Sequence, residues 1–112
     1  MKTLEIFNIG TKQNTEPAYY SYINKWLLSR GYDYQRIEGV KAFPDYVIWN
    51  KKSVSCMEVK LYRGKKPLDK VDPITDLKWQ DGQIGIKQRL LCKNINNYYL
   101  MILNKKGEVF II

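Results

Sequence analysis

The chain has 112 residues, 45% of them hydrophobic, and its 19 lysines and arginines outnumber 11 aspartates and glutamates for a formal net charge of +8 at pH 7 without any histidine. That length suits one domain with a single modest core, and a second folded domain is not expected. Cys56 and Cys92 form no CxxC or zinc-like spacing, which argues against a disulfide framework or a zinc finger, while the positive charge favours a polyanionic partner.

The first ten residues include Lys2, Glu5 and Asn8 and lack the apolar run of a signal peptide; residues 4–9 add a strand or pack elsewhere. No later segment is apolar enough to span a bilayer, so no membrane partner and a cytoplasmic location are expected. Residues 16–30 predict a helix. Asn14 or Thr15 is placed to cap it, Pro17 suits its start and Gly31 its stop. Tyr19, Tyr22, Ile23, Trp26 and Leu27 recur at three- and four-residue steps and mark its apolar face.

Residues 32–38 alternate as a strand that ends at Gly39. Residues 45–49 and 54–60 are rich in β-branched and aromatic side chains, and Asn50-Lys51-Lys52-Ser53 between them predicts a hairpin loop. Residues 62–80, with Gly64, Pro67 and Pro73, read as an excursion or a flexible loop, long enough to be functional or mobile. A second helix is predicted from Gly82 or Gln83 to about Lys93, despite Gly85, with Ile84, Lys87, Leu90 and Leu91 giving it partial amphipathicity. Residues 98–103 and 108–112 then predict two strands joined through Asn104-Lys105-Lys106-Gly107. The expected class is α/β, a mixed β-sheet flanked by helices.

The chemistry concentrates around Pro44-Asp45 and Glu58-Val59-Lys60. A turn centred between Lys51 and Lys52 sets Asn50 opposite Ser53 and, continued outward, Asp45 opposite Glu58. Period-two alternation then puts Glu58 and Lys60 on one face and Val59 on the other. Two carboxylates together suit a hard divalent cation, and a lysine beside them can orient water or stabilise developing negative charge. Glu58 follows Val54, Cys56 and Met57 in a strand expected to be central, where a carboxylate is costly to desolvate and a cation would relieve that cost. Ordinary roles compete with these: a turn-capping aspartate, a Glu58–Lys60 ion pair, a surface lysine. Arg63, Lys65, Lys66 and Lys70 follow closely, where phosphates would lie.

This arrangement resembles the motif of the PD-(D/E)xK nuclease superfamily, in pattern more than identity, from about Thr15 to Ile112. The resemblance implies an αβββαβ restriction-endonuclease-like core and a magnesium- or manganese-dependent DNA endonuclease, with branched DNA among its candidate substrates. It implies Asp45, Glu58 and the Val59 carbonyl as metal ligands and Lys60 as support for the attacking water and transition state. Glu16 is similar to an acidic residue that such nucleases carry on their first helix, although the helix dipole also favours a glutamate there. Gln83, with Gln80 and Gln88 as competitors, takes the place of a glutamine that such nucleases carry near the nucleophilic water or the DNA backbone. Arg36 matches a basic residue ahead of the Pro-Asp element, and with Arg63, Lys65, Lys66 and Lys70 it is assigned to nucleic acid.

The layout looks most like small VRR-NUC-type nucleases and, more distantly, Holliday-junction resolvases, which implies a homodimer. Ala42-Phe43-Pro44-Asp45 departs from the glycine-x-Pro-Asp form of that subgroup, since Gly39 lies farther upstream. Two other functions fit the same sequence: a non-catalytic nucleic-acid-binding module that retains the fold, and an inhibitory or interaction protein whose basic surface meets an acidic partner.

Overall fold

The computed structural model describes residues 6–39, 44–79 and 97–112. Its strands are β1 (Ile6–Asn8), β2 (Asp33–Arg36), β3 (Tyr46–Trp49), β4 (Val54–Leu61), β5 (Tyr98–Leu103) and β6 (Glu108–Ile111). They form one sheet in the order β1-β6-β5-β4-β3-β2, in which β4 and β5 run parallel and the other neighbours antiparallel. Helix α1 (Tyr20–Ser29) follows a 3₁₀ turn at Pro17–Tyr19. The architecture is therefore mixed α/β. The predicted second helix, Cys92, Gln80, Gln83 and Gln88 lie outside the described residues.

Strand β5 explains the layering. Leu100, Met101, Ile102 and Leu103 are all buried, as a near-continuous apolar run must be when both faces of a strand are covered. Met101 and Leu103 face the helix side with Met57, Val59, Tyr46, Ile48, Val109 and Ile111, where Tyr19, Ile23 and Leu27 pack against them. Leu100, Ile102 and Phe110 face the opposite side and meet Tyr62, Leu68, Val71 and Leu77.

The segment after residue 62 is the irregular excursion expected, with one 3₁₀ turn at Leu68–Lys70, and it packs as a second layer on the sheet. Its four apolar side chains shield the far face of the sheet, each fully buried leucine contributing about 1.5–3 kcal/mol. Short-range bonds shape the polar chain between them: the Asp72 carboxylate accepts from Ile74 N at 2.8 Å, Asp76 accepts from Asp72 N at 2.7 Å, and Trp79 Nε1 donates to Pro73 O at 2.8 Å. Composition suggested a loop; packing across the sheet makes it a lid on the core.

The first helix is corrected. Pro17 opens a 3₁₀ turn, closed by Tyr19 N donating to Glu16 O at 3.0 Å, and no side-chain cap bond forms at the start of either helical piece. Tyr20, three residues before Ile23 and seven before Leu27, shares their face and packs against the core, whereas Tyr22 is not part of it. Among the described residues no helix is long and apolar enough to cross a membrane.

Candidate active site

The site begins with the β3–β4 hairpin. Asn50 resolves its lysine-rich turn, because its Oδ1 accepts from Lys52 N at 2.8 Å and Ser53 N at 2.9 Å while its own N–H donates to Ser53 O at 3.0 Å. The side chain supplies acceptors that a tight primed turn would have drawn from glycine-rich backbone. Pairs from Trp49↔Val54 to Tyr46↔Met57 follow, and one further step places Asp45 opposite Glu58. This is the register expected from the sequence.

Strand β3 starts at Tyr46, but β4 continues to Leu61. In β4, Cys56 N and Tyr62 N donate to Asn97 O and Leu103 O on the β5 side, so the intervening odd-numbered residues direct their backbone groups the other way. Val59 therefore presents its N–H and C=O where β3 has run out. Asp45 Oδ2 accepts that N–H at 2.8 Å. The carboxylate thus replaces a missing strand residue, and the Val59 carbonyl points to the same edge.

Arg36 fixes Asp45 from behind. Its Nη1 donates to Asp45 O at 2.8 Å and to Ile37 O, and lies 3.8 Å from Asp45 Oδ1. Ile37 N also donates to Asp45 O at 2.9 Å, extending the β2–β3 ladder by one rung. The guanidinium sits 3.9 Å over the Tyr20 ring and 5.6 Å from the Tyr46 ring, a geometry in which cation–π attraction holds the charge in place. Arg36 thus faces into the site beside Asp45.

Glu58 is 1% exposed. Burial above all, then a hydrogen bond to Asp45 and the Asp45 charge, raise its carboxyl far above the usual carboxylate range. Glu16 is raised too, first by burial and then by Asp45. Lys60 is lowered by burial, a shift that the charges of Glu58, Glu16 and Asp45 partly oppose. Three carboxyl groups and one ammonium therefore sense one another across this edge. Their sources are different elements: the turn before α1, the entrance of β3 and the second half of β4.

The donor chemistry, carboxylates plus a backbone carbonyl, fits a hard divalent cation. No three acidic side chains among the described residues form a finished cation cage. Glu16 Oε2 instead accepts from Tyr20 Oη at 2.8 Å, and Tyr20 Oη lies 3.5 Å from Asp45 Oδ1.

Lys60 Nζ donates to Lys78 O at 2.8 Å and lies 4.8 Å above the Trp79 ring. A cleft of about 340 Å³ opens beside it, lined in part by Glu16, Lys60, Arg63 and Lys78. Arg63 donates to Asn14 O at 3.0 Å. Lys65 and Lys70 are exposed, and Lys66 pairs with Asp76 at 2.8 Å, which offsets part of the charge expected to meet phosphates.

Tyr20, Lys78 and Trp79 were absent from the sequence-derived site. Tyr20 left a readable signal, since it follows Glu16 by four residues and their contact is local in sequence. Lys78 and Trp79 left none, because only the return of the 62–79 segment brings them to Lys60. No protein-family model matches this chain, and no curated protein matches it in sequence.

Proposed function

We propose that the protein is a magnesium- or manganese-dependent endonuclease that hydrolyses phosphodiester bonds in DNA, with branched DNA among its candidate substrates. The observation that carries this reading is Asp45 opposite Glu58, with Lys60 two residues along the same strand face, beside a cleft that also holds Arg63. Asp45, Glu58 and the Val59 carbonyl would hold the cation, with Glu16 adjoining. When bound, it would supply Lewis-acid polarisation of the scissile phosphate and a more acidic attacking water.

Lys60 supplies a cation next to the phosphorus as negative charge grows there, an interaction stronger in the transition state than in the ground state. Its anchoring on Lys78 O and Trp79 limits the reorganisation needed at that moment. Arg63, Lys65, Lys66 and Lys70 attract the phosphate backbone, which favours affinity over sequence discrimination. Gln83 remains the assigned glutamine of the site, and a homodimer the assembly that would hold a branched substrate.

End-labelled single-stranded, duplex, flapped and four-way-junction DNAs incubated with magnesium, manganese or chelator test the proposal. The expected result is cutting that requires metal and disappears in Glu58→Ala. One observation favours a second reading, a DNA-binding module without catalysis: Asp45 is already engaged by Val59 N and Arg36. On that reading the parent binds these DNAs in a salt-sensitive way and cuts none.

A further inference from the structure

Glu16 and Asp45 come from elements far apart in sequence, and Tyr20 stands between them. Its Oη is 2.8 Å from Glu16 Oε2 and 3.5 Å from Asp45 Oδ1. A phenol has one proton, so the short contact is the donated bond and the longer one leaves Asp45 within reach but not captured. The ring beneath that hydroxyl has little freedom. Arg36 stacks on it at 3.9 Å, and Tyr46 meets it edge-on with centroids 6.0 Å apart.

The stacking cation is tied to the Asp45 main chain through Arg36 Nη1 and Asp45 O at 2.8 Å. The ring that holds Glu16 is therefore braced by the residue that holds Asp45. Resting on the metal site proposed above, we infer that Tyr20 is a positioning residue, which sets Glu16 and Asp45 at the separation from which both reach one divalent cation. A neutral hydroxyl suits this task, because it holds Glu16 beside Asp45 without adding a charge that competes with the cation. Partners of this kind, one step removed from the metal, typically change its affinity by about 10–100-fold when they are removed.

The test is calorimetric titration of the full chain with Mn²⁺ alone, without DNA, for the parent, Tyr20→Phe and Tyr46→Phe. Phenylalanine keeps the ring under Arg36 and removes only the hydroxyl. Tyr46→Phe is the control: its hydroxyl donates to Asn24 Oδ1 at 2.7 Å and lies 3.4 Å from Tyr20 O, and it donates to neither carboxylate. We expect Tyr20→Phe to bind Mn²⁺ about 10-fold more weakly than the parent, and Tyr46→Phe to lose stability while binding Mn²⁺ within about twofold. If the parent binds Mn²⁺ and Tyr20→Phe matches it within about twofold, the positioning role is overturned and the metal site stands. If the parent takes up no Mn²⁺, the metal site and the role of Tyr20 fall together.

Discussion

Asp45 Oδ2 accepts the backbone N–H of Val59 at 2.8 Å, in the place that a further residue of β3 would have filled. One side chain thus closes the end of the sheet and faces Glu58 across the hairpin.

Those two duties separate by substitution. Asp45→Asn keeps an acceptor for Val59 and removes the charge that repels Glu58, so its stability in chelator should match or exceed the parent's. Asp45→Ala leaves a buried N–H without its acceptor and should lose about 1–3 kcal/mol in urea denaturation. DNA cutting should be lost in both. Equal stability of the two variants would contradict the strand-closing role.

The buried Glu58 carboxyl makes the metal-free protein pH-sensitive. Its folded pKa is raised above the unfolded value, chiefly by burial and then by Asp45. The folded state therefore binds this proton more tightly, and the corresponding stability is full below the unfolded carboxylate pKa and lost as pH rises above it. Glu58→Gln should be more stable than the parent by about 1–2 kcal/mol at about pH 8 in chelator, with the gap closing toward about pH 4. Because a bound cation must displace the proton, Mn²⁺ affinity of the parent should rise with pH. Thermal melts across this range check both; a gap that widens in acid would be the wrong sign.

Glycine substitutions probe the sheet edge next to β6. Gly107 has a φ of 81°, and a Cβ there would lie 2.0 Å from Thr11 O; Gly31 has a φ of 83° with nothing within 4 Å of that position. Gly31→Ala should cost about 1–2 kcal/mol from backbone strain alone. Gly107→Ala adds a collision with main chain and should cost more, measured by the denaturation midpoint. Equal losses would show that a Cβ at Gly107 meets no added collision with Thr11 O.

Electrostatics divides the basic cluster. Lys65 and Lys70 are exposed, whereas Lys66 is held by Asp76 at 2.8 Å. In fluorescence-anisotropy binding to duplex DNA, Lys65→Ala and Lys70→Ala should each lower the slope of log affinity against log salt by about 1. Lys66→Ala should lower it less, since Asp76 already neutralises part of that charge. A steeper loss for Lys66 would place it on the phosphates ahead of its neighbours.

Much of this arrangement was legible in the sequence because it depends on short-range rules. Alternation fixes which residues of β4 share a face, and Asn50-Lys51-Lys52-Ser53 fixes the centre of the hairpin, so Asp45 and Glu58 meet by counting. Glu16 and Tyr20 are four residues apart, so their contact is local in sequence as well. The role of Arg36 was not legible, because its stacking on Tyr20 and its bond to Asp45 O require β2, β3 and α1 to assemble first. The 62–79 segment is the irregular connection its composition predicts, but its packing is not legible, for the same reason. Its prolines, glycine and charges describe the chain locally, while Leu68, Val71 and Leu77 acquire their function only against Leu100, Ile102 and Phe110 across the sheet.

The proposed function is phosphodiester hydrolysis in which Glu58 holds the cation and Lys60 supports the transition state. Its most direct test is the single-turnover rate of cutting the preferred DNA with saturating magnesium by the parent, Glu58→Gln and Lys60→Met. The parent should cut in a metal-dependent way and each variant should lose at least about 100-fold in rate, with DNA affinity kept within about threefold. Variants that cut within about threefold of the parent, or a parent that binds DNA and never cuts it, would contradict that function.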